Sequence, residues 1–327
     1  FPGGTVTLPL SAPNFARSNR YNEFALYFND QWRVAPRVTL NLGLRYEFYG
    51  PQRHRNPDEE SNFFLGSGSN IYEQIRNGSV RTTAETGALW KNDTNNFAPR
   101  LGIAWDVFGD GRTSLRGGWG LAYERNFGNV TFNVIQNPPN YAVLSFDAAN
   151  FGAPVPIFTN SAGPLAGNSG TRTLSAVTLR AVDPNIVNAY AHFWSAAAEH
   201  RLNRDTVVSV SYSGSAGRDL YSISNLNRPN SGTFYLNSSA TCPGLAASAR
   251  LNPCYGNINW RSNGGYSNYS GVTAALDSNN LFGIGLTITN RYTYAVSKDN
   301  VSSTFTDGYQ GNFQLGFTDP FNPELDY

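Results

Sequence analysis

Methionine is absent from the 327 residues, cysteine occurs twice and histidine three times. His54, His192 and His200 lack the spacing of a metal site. No GxSxG, HExxH or phosphate-loop pattern occurs either, so neither enzymatic activity nor a cofactor is expected. Charged residues make up 14% of the chain, against about 25% in an ordinary soluble domain. The net charge is +1 and the basic residues are dispersed. That leaves no electrostatic footprint for nucleic acid, and none is expected as a partner. No apolar run reaches about 18 residues, which excludes a transmembrane helix and the core of a signal peptide. With no Met at position 1, a start at Phe1-Pro2-Gly3-Gly4 and an end at FNPELDY, the chain is expected to be an excerpt of a longer polypeptide.

What is abundant is aromatic and small: 21 Phe, 18 Tyr and 32 Gly. The stretch 38–48, VTLNLGLRYEF, organises the rest. Val38, Leu40, Leu42, Leu44, Tyr46 and Phe48 alternate with Thr39, Asn41, Gly43, Arg45 and Glu47. Successive strand side chains point to opposite faces, so this is a strand with one apolar and one polar face. It is longer than the usual strand of about 5–6 residues. It suits the roughly 9–11 that a tilted strand needs to cross a bilayer.

The same pattern recurs in pairs, predicting hairpins at about 21–49, 97–124, 189–213 and 267–297. The first turns through Pro36, and the second through the Asp-Gly signal at Asp110-Gly111. The last is expected to turn at 277–281, with Ile284 already in the following strand. Between the hairpins lie long stretches at about 50–96, 125–187 and 214–266, read as irregular loops, and 298–327 is read as loop. Short turns thus alternate with long loops. This is the organisation of outer-membrane barrels, with short periplasmic turns and long extracellular loops. Trp32, Tyr46, Phe48, Phe97, Phe108 and Tyr123 fall near strand ends, where aromatic girdles belong. The fold class is therefore all-β: an antiparallel up-and-down meander, about eight strands of a larger transmembrane barrel. Cys242 and Cys254, close together in a loop, are expected to pair in an oxidising compartment, the alternative being two free thiols.

YNEFALYFNDQWRVAPRVTLNLGLRYEFYGP carries Asp30, Trp32, Pro36, Leu40, Leu42, Gly43, Leu44, Arg45 and Tyr46. It resembles the strand–turn–strand signature of TonB-dependent outer-membrane receptors. NNFAPRLGIAWDVFGDGRTSLRGGWGLAYER is similar to the next hairpin of such barrels. GSAGRDL at 214–220 and the terminal FTDPFNPELDY resemble the Oar-like subgroup. The resemblance implies a barrel of about 22 strands with a plugged lumen, in the cell outer membrane. It also implies a TonB complex reached through a plug and TonB box outside these residues, and an extracellular ligand. Residues 1–327 would then all be partial barrel domain, with no plug or signal peptide.

Arg45, Glu47, Arg100, Asp106, Arg116, Glu124 and Arg291 share the polar, lumen-side parity. They are candidates for holding a plug or lining a solute path, the plainer alternative being a solvated wall. Glu47 and Glu124 as an acid–base pair, and Asp93, Asn95 and Asn96 as calcium ligands, are weaker patterns. Two functions remain: TonB-dependent uptake, with ligand selectivity in the long loops, or a surface adhesion or structural role without transport.

Overall fold

The computed structural model describes residues 5–8, 16–126, 137–138, 170–173, 176–236, 240–243, 245, 248–301 and 317–327. Most of the 125–187 connection, with its Gly/Ser/Asn run, and about half of the 298–327 tail lie outside the described residues. Eight long strands carry the architecture. They are β1 (Glu23–Ala35), β2 (Val38–Tyr49), β3 (Phe97–Asp106), β4 (Thr113–Tyr123), β5 (Tyr190–Arg201), β6 (Thr206–Asn225), β7 (Ile258–Leu281) and β8 (Leu286–Asp299). Each pairs antiparallel with the next, giving one meander. Leu179–Val182 adds a short parallel strand beside the start of β7. Among the described residues nothing pairs with the outer edges of β1 and β8, so the sheet is open.

Parity survives from strand to strand because the register is in phase. Leu40 faces Trp32 and Ile103, Leu42 faces Leu101, and Leu101 faces Trp119. Leu42, Leu44, Leu101 and Ile103 are 37–52% exposed, with no second sheet or helix over them among the described residues. Uncovered apolar surface of this extent marks an interaction surface, here the lipid-facing band of an outer-membrane barrel. Leu121 is the exception at 8% exposure, opposite His192. Asp30 also departs from the pattern, since its register with Leu42 puts a carboxylate on the apolar face.

At the loop end the rings form a belt. Phe24 lies 5.4 Å from Phe48, Tyr46 lies 4.7 Å from Phe97, and Tyr123 lies 5.7 Å from Tyr190. On the apolar face of β6, Gly214 lies under Trp194. A Cβ there would come within 2.4 Å of the indole, so only glycine lets the ring lie flat on the sheet.

The turns at 36–37, 107–112, 202–205 and 282–285 all lie at one end. The last differs from the expectation of 277–281. Gly283 and Gly285 both take φ +73°, and the Gly285 amide donates to Asn280 Oδ1 at 2.7 Å, so the bend forms there. Ile284 is therefore in the turn and β8 starts at Leu286.

The larger corrections are at the other end. β6 continues to Asn225 rather than 213, and β7 begins at Ile258 rather than 267. At 20 and 24 residues they run well past the roughly 9–11 that a crossing needs. The ribbon passes two register shifts between Gly217 and Ser222, and Asp219 takes φ +52° there. A bulge changes which parity faces which side, which breaks the alternation that marks a strand in sequence.

The 50–96 stretch is not irregular either. Ser61–Phe64 pairs with Ser79–Thr82, and between them lies α1 (Ile71–Arg76). Asn70 caps α1 by accepting the Glu73 amide at 2.9 Å. The Ser69 amide and hydroxyl hold the Glu73 carboxyl below its ordinary range. A second short helix, α2 (Thr83–Thr86), follows.

The buried core of the described structure lies in these connections rather than between barrel strands. Phe63 and Ile75 come from the first connection, Leu179 and Ala181 from the second, and Leu251, Tyr255 and Ile258 from the third. All are at most 2% exposed and form one cluster with Trp260. Each large apolar side chain buried there contributes about 1.5–3 kcal/mol. The long connections thus fold into one cap. Cys242 and Cys254 are bonded within it, S–S 2.09 Å, 12 residues apart. Closing so short a loop is worth about 3 kcal/mol in the chain-entropy account. Reduction is accordingly expected to speed proteolysis between the two cysteines while leaving the transmembrane strands protected, as read by peptide mapping with and without dithiothreitol.

Candidate functional site

The polar face of the meander is built by register. Arg45 sits opposite Ala98, Arg100 opposite Gly43 and Gly120, Arg116 opposite Ala104 and Ala197, and Arg291 opposite Ala275. Small neighbours leave these cations room above the sheet. Arg45 Nε donates to Glu47 Oε1 at 2.7 Å, and Tyr49 Oη donates to the same oxygen at 2.7 Å. Glu47 is 6% exposed, so its charge is neutralised inside a small network. Tyr27, Asn29, Arg45, Glu47, Arg100 and Ala122 border a hollow of about 380 Å³. A larger groove of about 650 Å³ runs past Arg100, Phe193, Ser195, Ser213, Ser215 and Tyr269. It is floored by glycine and serine and flanked by two rings. The wall presents hydrogen-bonding groups and cations on its polar face.

The remaining candidates are placed elsewhere. Asp106 accepts the amides of Gly109 at 2.9 Å and Gly111 at 3.2 Å, so it shapes the β3–β4 turn. Arg291 pairs with Asp277 at 3.1 Å, both exposed. Glu124 has an exposed side chain at the loop end, where its amide donates to the Ala189 carbonyl at 2.7 Å. Beside it Arg125 pairs with Glu23 at 3.0 Å. Of the proposed calcium set, Asp93 accepts the Asn188 amide at 2.8 Å, and Asn96 Nδ2 donates to Asn188 Oδ1 at 3.2 Å. These groups tie two connections together. The histidines are also structurally engaged. His54 Nε2 accepts the Ser18 amide at 2.8 Å, His192 stacks on Trp119 at 5.8 Å, and His200 Nδ1 lies 2.8 Å from Thr113 Oγ1.

What pattern reading misses is how the cap is held. Asn62 accepts from the Phe63 and Val182 amides and donates to the Val182 and Leu89 carbonyls, at 2.7–3.3 Å. Asn252 donates to the Ile75 and Gly78 carbonyls, both at 3.0 Å, and accepts the Cys254 amide at 3.1 Å. Asn227 accepts the Asn252 amide at 2.8 Å and reaches three carbonyls between residues 252 and 256. All three are at most 2% exposed. A side-chain amide has both donors and an acceptor, so it can join two irregular backbones that no ladder pairs. The plentiful asparagines were the available signal, though sequence spacing does not reveal the partners.

Glu60 gives the cap a pH dependence. It is 5% exposed, and burial pushes its carboxyl above the ordinary range, against the His54 amide, Thr83 and Gln52, which pull it down. The folded state therefore binds the proton more tightly than the unfolded chain. Ionising Glu60 costs stability fully above its folded pKa, and the cost vanishes below its unfolded one. Acidifying from neutral toward the unfolded glutamate value is expected to stabilise the cap. Glu60→Gln should keep the acceptor, raise stability at neutral pH and flatten that contribution. Urea titration of cap protease resistance across pH checks this, and an unchanged profile in Glu60→Gln would refute it.

Among solved structures the chain is similar to the siderophore receptor PirA from Pseudomonas aeruginosa, at 14% identity and TM-score 0.40 over 86% of this chain and 35% of that one. It is similar to the outer membrane transporter YddB from Escherichia coli, at 13% identity and TM-score 0.41 over 88% and 34%. It also matches the alcaligin outer membrane receptor FauA from Bordetella pertussis, at 12% identity and TM-score 0.36 over 86% and 31%. The chain thus spans about a third of the length of each of these structures. No curated protein matches it. The family model described as an outer membrane beta barrel domain matches residues 4–327, nearly the whole chain and every strand of the meander: the chain belongs to that family.

Proposed function

We propose that the chain is part of the barrel of a TonB-dependent receptor, of the Oar-like group that its GSAGRDL segment and terminal FTDPFNPELDY resemble. The observation that carries the reading is the unclosed sheet. Eight strands, lipid-facing on one side and polar on the other, end in two edges that nothing pairs among the described residues. An edge in hydrocarbon leaves a row of unpaired amides and carbonyls, at several kcal/mol per group. Further strands would complete the ring, and a ring wider than eight strands encloses a lumen that a separate segment can plug. In this reading residues 1–327 are all barrel domain. The cap takes the ligand, the groove past Arg100 lies along the passage, and the plug with its TonB contact belongs to other parts of the polypeptide. The similar structures include receptors for a siderophore and for alcaligin, which supports uptake of an extracellular ligand without naming it.

The test uses the complete protein in planar bilayers. It is expected to be closed to ions and to conduct once its lumen-filling segment is deleted. A photo-crosslinker at Arg116 should capture that segment, and the periplasmic domain of TonB should co-purify with the protein. Conductance without any deletion would make it an open pore. A closed barrel that captures no plug and binds no TonB would instead be the adhesion or structural protein.

A further inference from the structure

The cap holds a half-open cavity of about 370 Å³, inside the ~300–1,000 Å³ typical of small-molecule sites. Four rings border it: Tyr72 on α1, Trp260 on β7, and Phe317 and Phe321 in the tail. Their arrangement is fixed from behind. Tyr72 stacks on Tyr235 at 4.3 Å and meets Phe321 edge-on at 4.9 Å, while Trp260 packs edge-on to Phe63 at 6.4 Å. Ile71, Leu226 and two prolines complete the apolar lining. A space of this kind takes a flat, compact ring system.

Two polar groups also line it, Ser224 and Asp183. Ser224 is 3% exposed, and its buried Oγ has no hydrogen-bond partner among the described residues. A buried hydroxyl without a partner costs free energy that a ligand group could recover. Asp183 is the second. Its Oδ1 accepts the Asn185 amide at 2.8 Å. Burial nevertheless raises its carboxyl above the ordinary range, more than Asn185 and the nearby Lys91 lower it. Both groups can accept a hydrogen bond, and one is a carboxyl beside an apolar lining. The complementary head group is a donor, and a cationic one answers both demands.

We infer that this cavity binds a small aromatic amine, its ring held among Tyr72, Trp260, Phe317 and Phe321 and its ammonium directed to Asp183 and Ser224. The inference rests on the reading of the cap as the ligand-binding part and names a ligand class for it. It concerns binding alone and requires no chemical step.

Calorimetry on the complete protein in detergent tests it with three probes of one ring system: tryptamine, indole and indole-3-acetate. Tryptamine is expected to bind at least about tenfold more tightly than indole, as befits a charge-assisted hydrogen bond in an apolar site, with indole-3-acetate weakest. Asp183→Asn should erase the preference for tryptamine over indole. Ser224→Ala should weaken tryptamine several-fold. Should either variant misfold, an aryl-azide analogue of tryptamine on the unaltered protein supplies the second measurement, with labelling expected at 224–226, 260–264 and 317–321. No binding, equal binding of the three probes, or labelling elsewhere overturns the inference. So does a well-folded Asp183→Asn that keeps the full preference. Tryptamine binding with no TonB association would sink the receptor reading and leave the site standing. TonB association with no tryptamine binding would sink the site alone.

Discussion

Asn62→Ala is expected to open the cap while the transmembrane strands stay folded. The Asn62 amide contacts four backbone groups at 2.7–3.3 Å, on Phe63, Leu89 and Val182, from a position with no exposure. Alanine leaves those two amides and two carbonyls without their side-chain partner. At about 1–3 kcal/mol per unpaired buried group, the loss is on the order of 4 kcal/mol or more. That would place it among the severe single substitutions. The damage should stay local, because Asn62 joins the strand Ser61–Phe64 to the strand Leu179–Val182 and touches no lipid-facing residue. Hydrogen exchange read by mass spectrometry checks this. Peptides covering 61–64 and 179–182 should lose protection, and those in β2 and β3 should keep it. Asn62→Asp keeps the acceptor and loses both donors, so an intermediate loss is expected. Undiminished protection in Asn62→Ala would mean that packing around Phe63 holds the cap unaided.

Leu101→Arg is expected to cost about 2–4 kcal/mol of barrel stability, the usual penalty for a guanidinium near the bilayer midplane. Leu101 lies mid-strand, is 52% exposed, and is flanked by Leu42 and Trp119. The acid on that row, Asp30, lies beyond Leu42 two strands away, so Leu101→Arg is best measured beside the same change in Asp30→Asn. The neighbouring residue supplies the control. Gly102 has the opposite parity and faces Asn41 and Gly118, and a Cβ there would meet only ordinary contacts at 3.5 Å and beyond. Gly102→Arg should therefore cost much less. Urea titration of the complete protein in lipid bilayers, followed by protease protection, measures both. Equal penalties would contradict the assignment of faces.

How far the chain is legible follows from where its energetics are repetitive. In 38–48 lipid and water impose a period of two, and Leu40, Leu42 and Leu44 keep it without interruption. The faces follow from that, and turn residues such as Pro36 and Asp110-Gly111 add three of the four turns. The fourth shifts because Gly283 and Gly285 outrank the Asp277–Leu281 segment as places to bend. Legibility fails beyond the membrane, where no solvent imposes a period. At Asp219 the bulge resets the parity of β6, so a strand of 20 residues reads as eight. In the cap, cohesion comes from side chains such as Asn227 and Asn252, whose carbonyl partners lie 25 to 177 residues away, beyond the reach of any local pattern. The polar-face candidates divide similarly. Parity sets Arg45, Arg100 and Arg116 along one side, but it says nothing of Asp106 being spent on turn amides.

The cluster around Phe63 draws on the connections after β2, β4 and β6 at once. It therefore cannot assemble until each of those hairpins has delivered its loop to the outer surface. A nascent molecule with one hairpin missing would present Ile75, Leu179 and Ile258 as loose, greasy ends instead of a closed lid. Sealing of the lid would thus report that these particular hairpins are all in place.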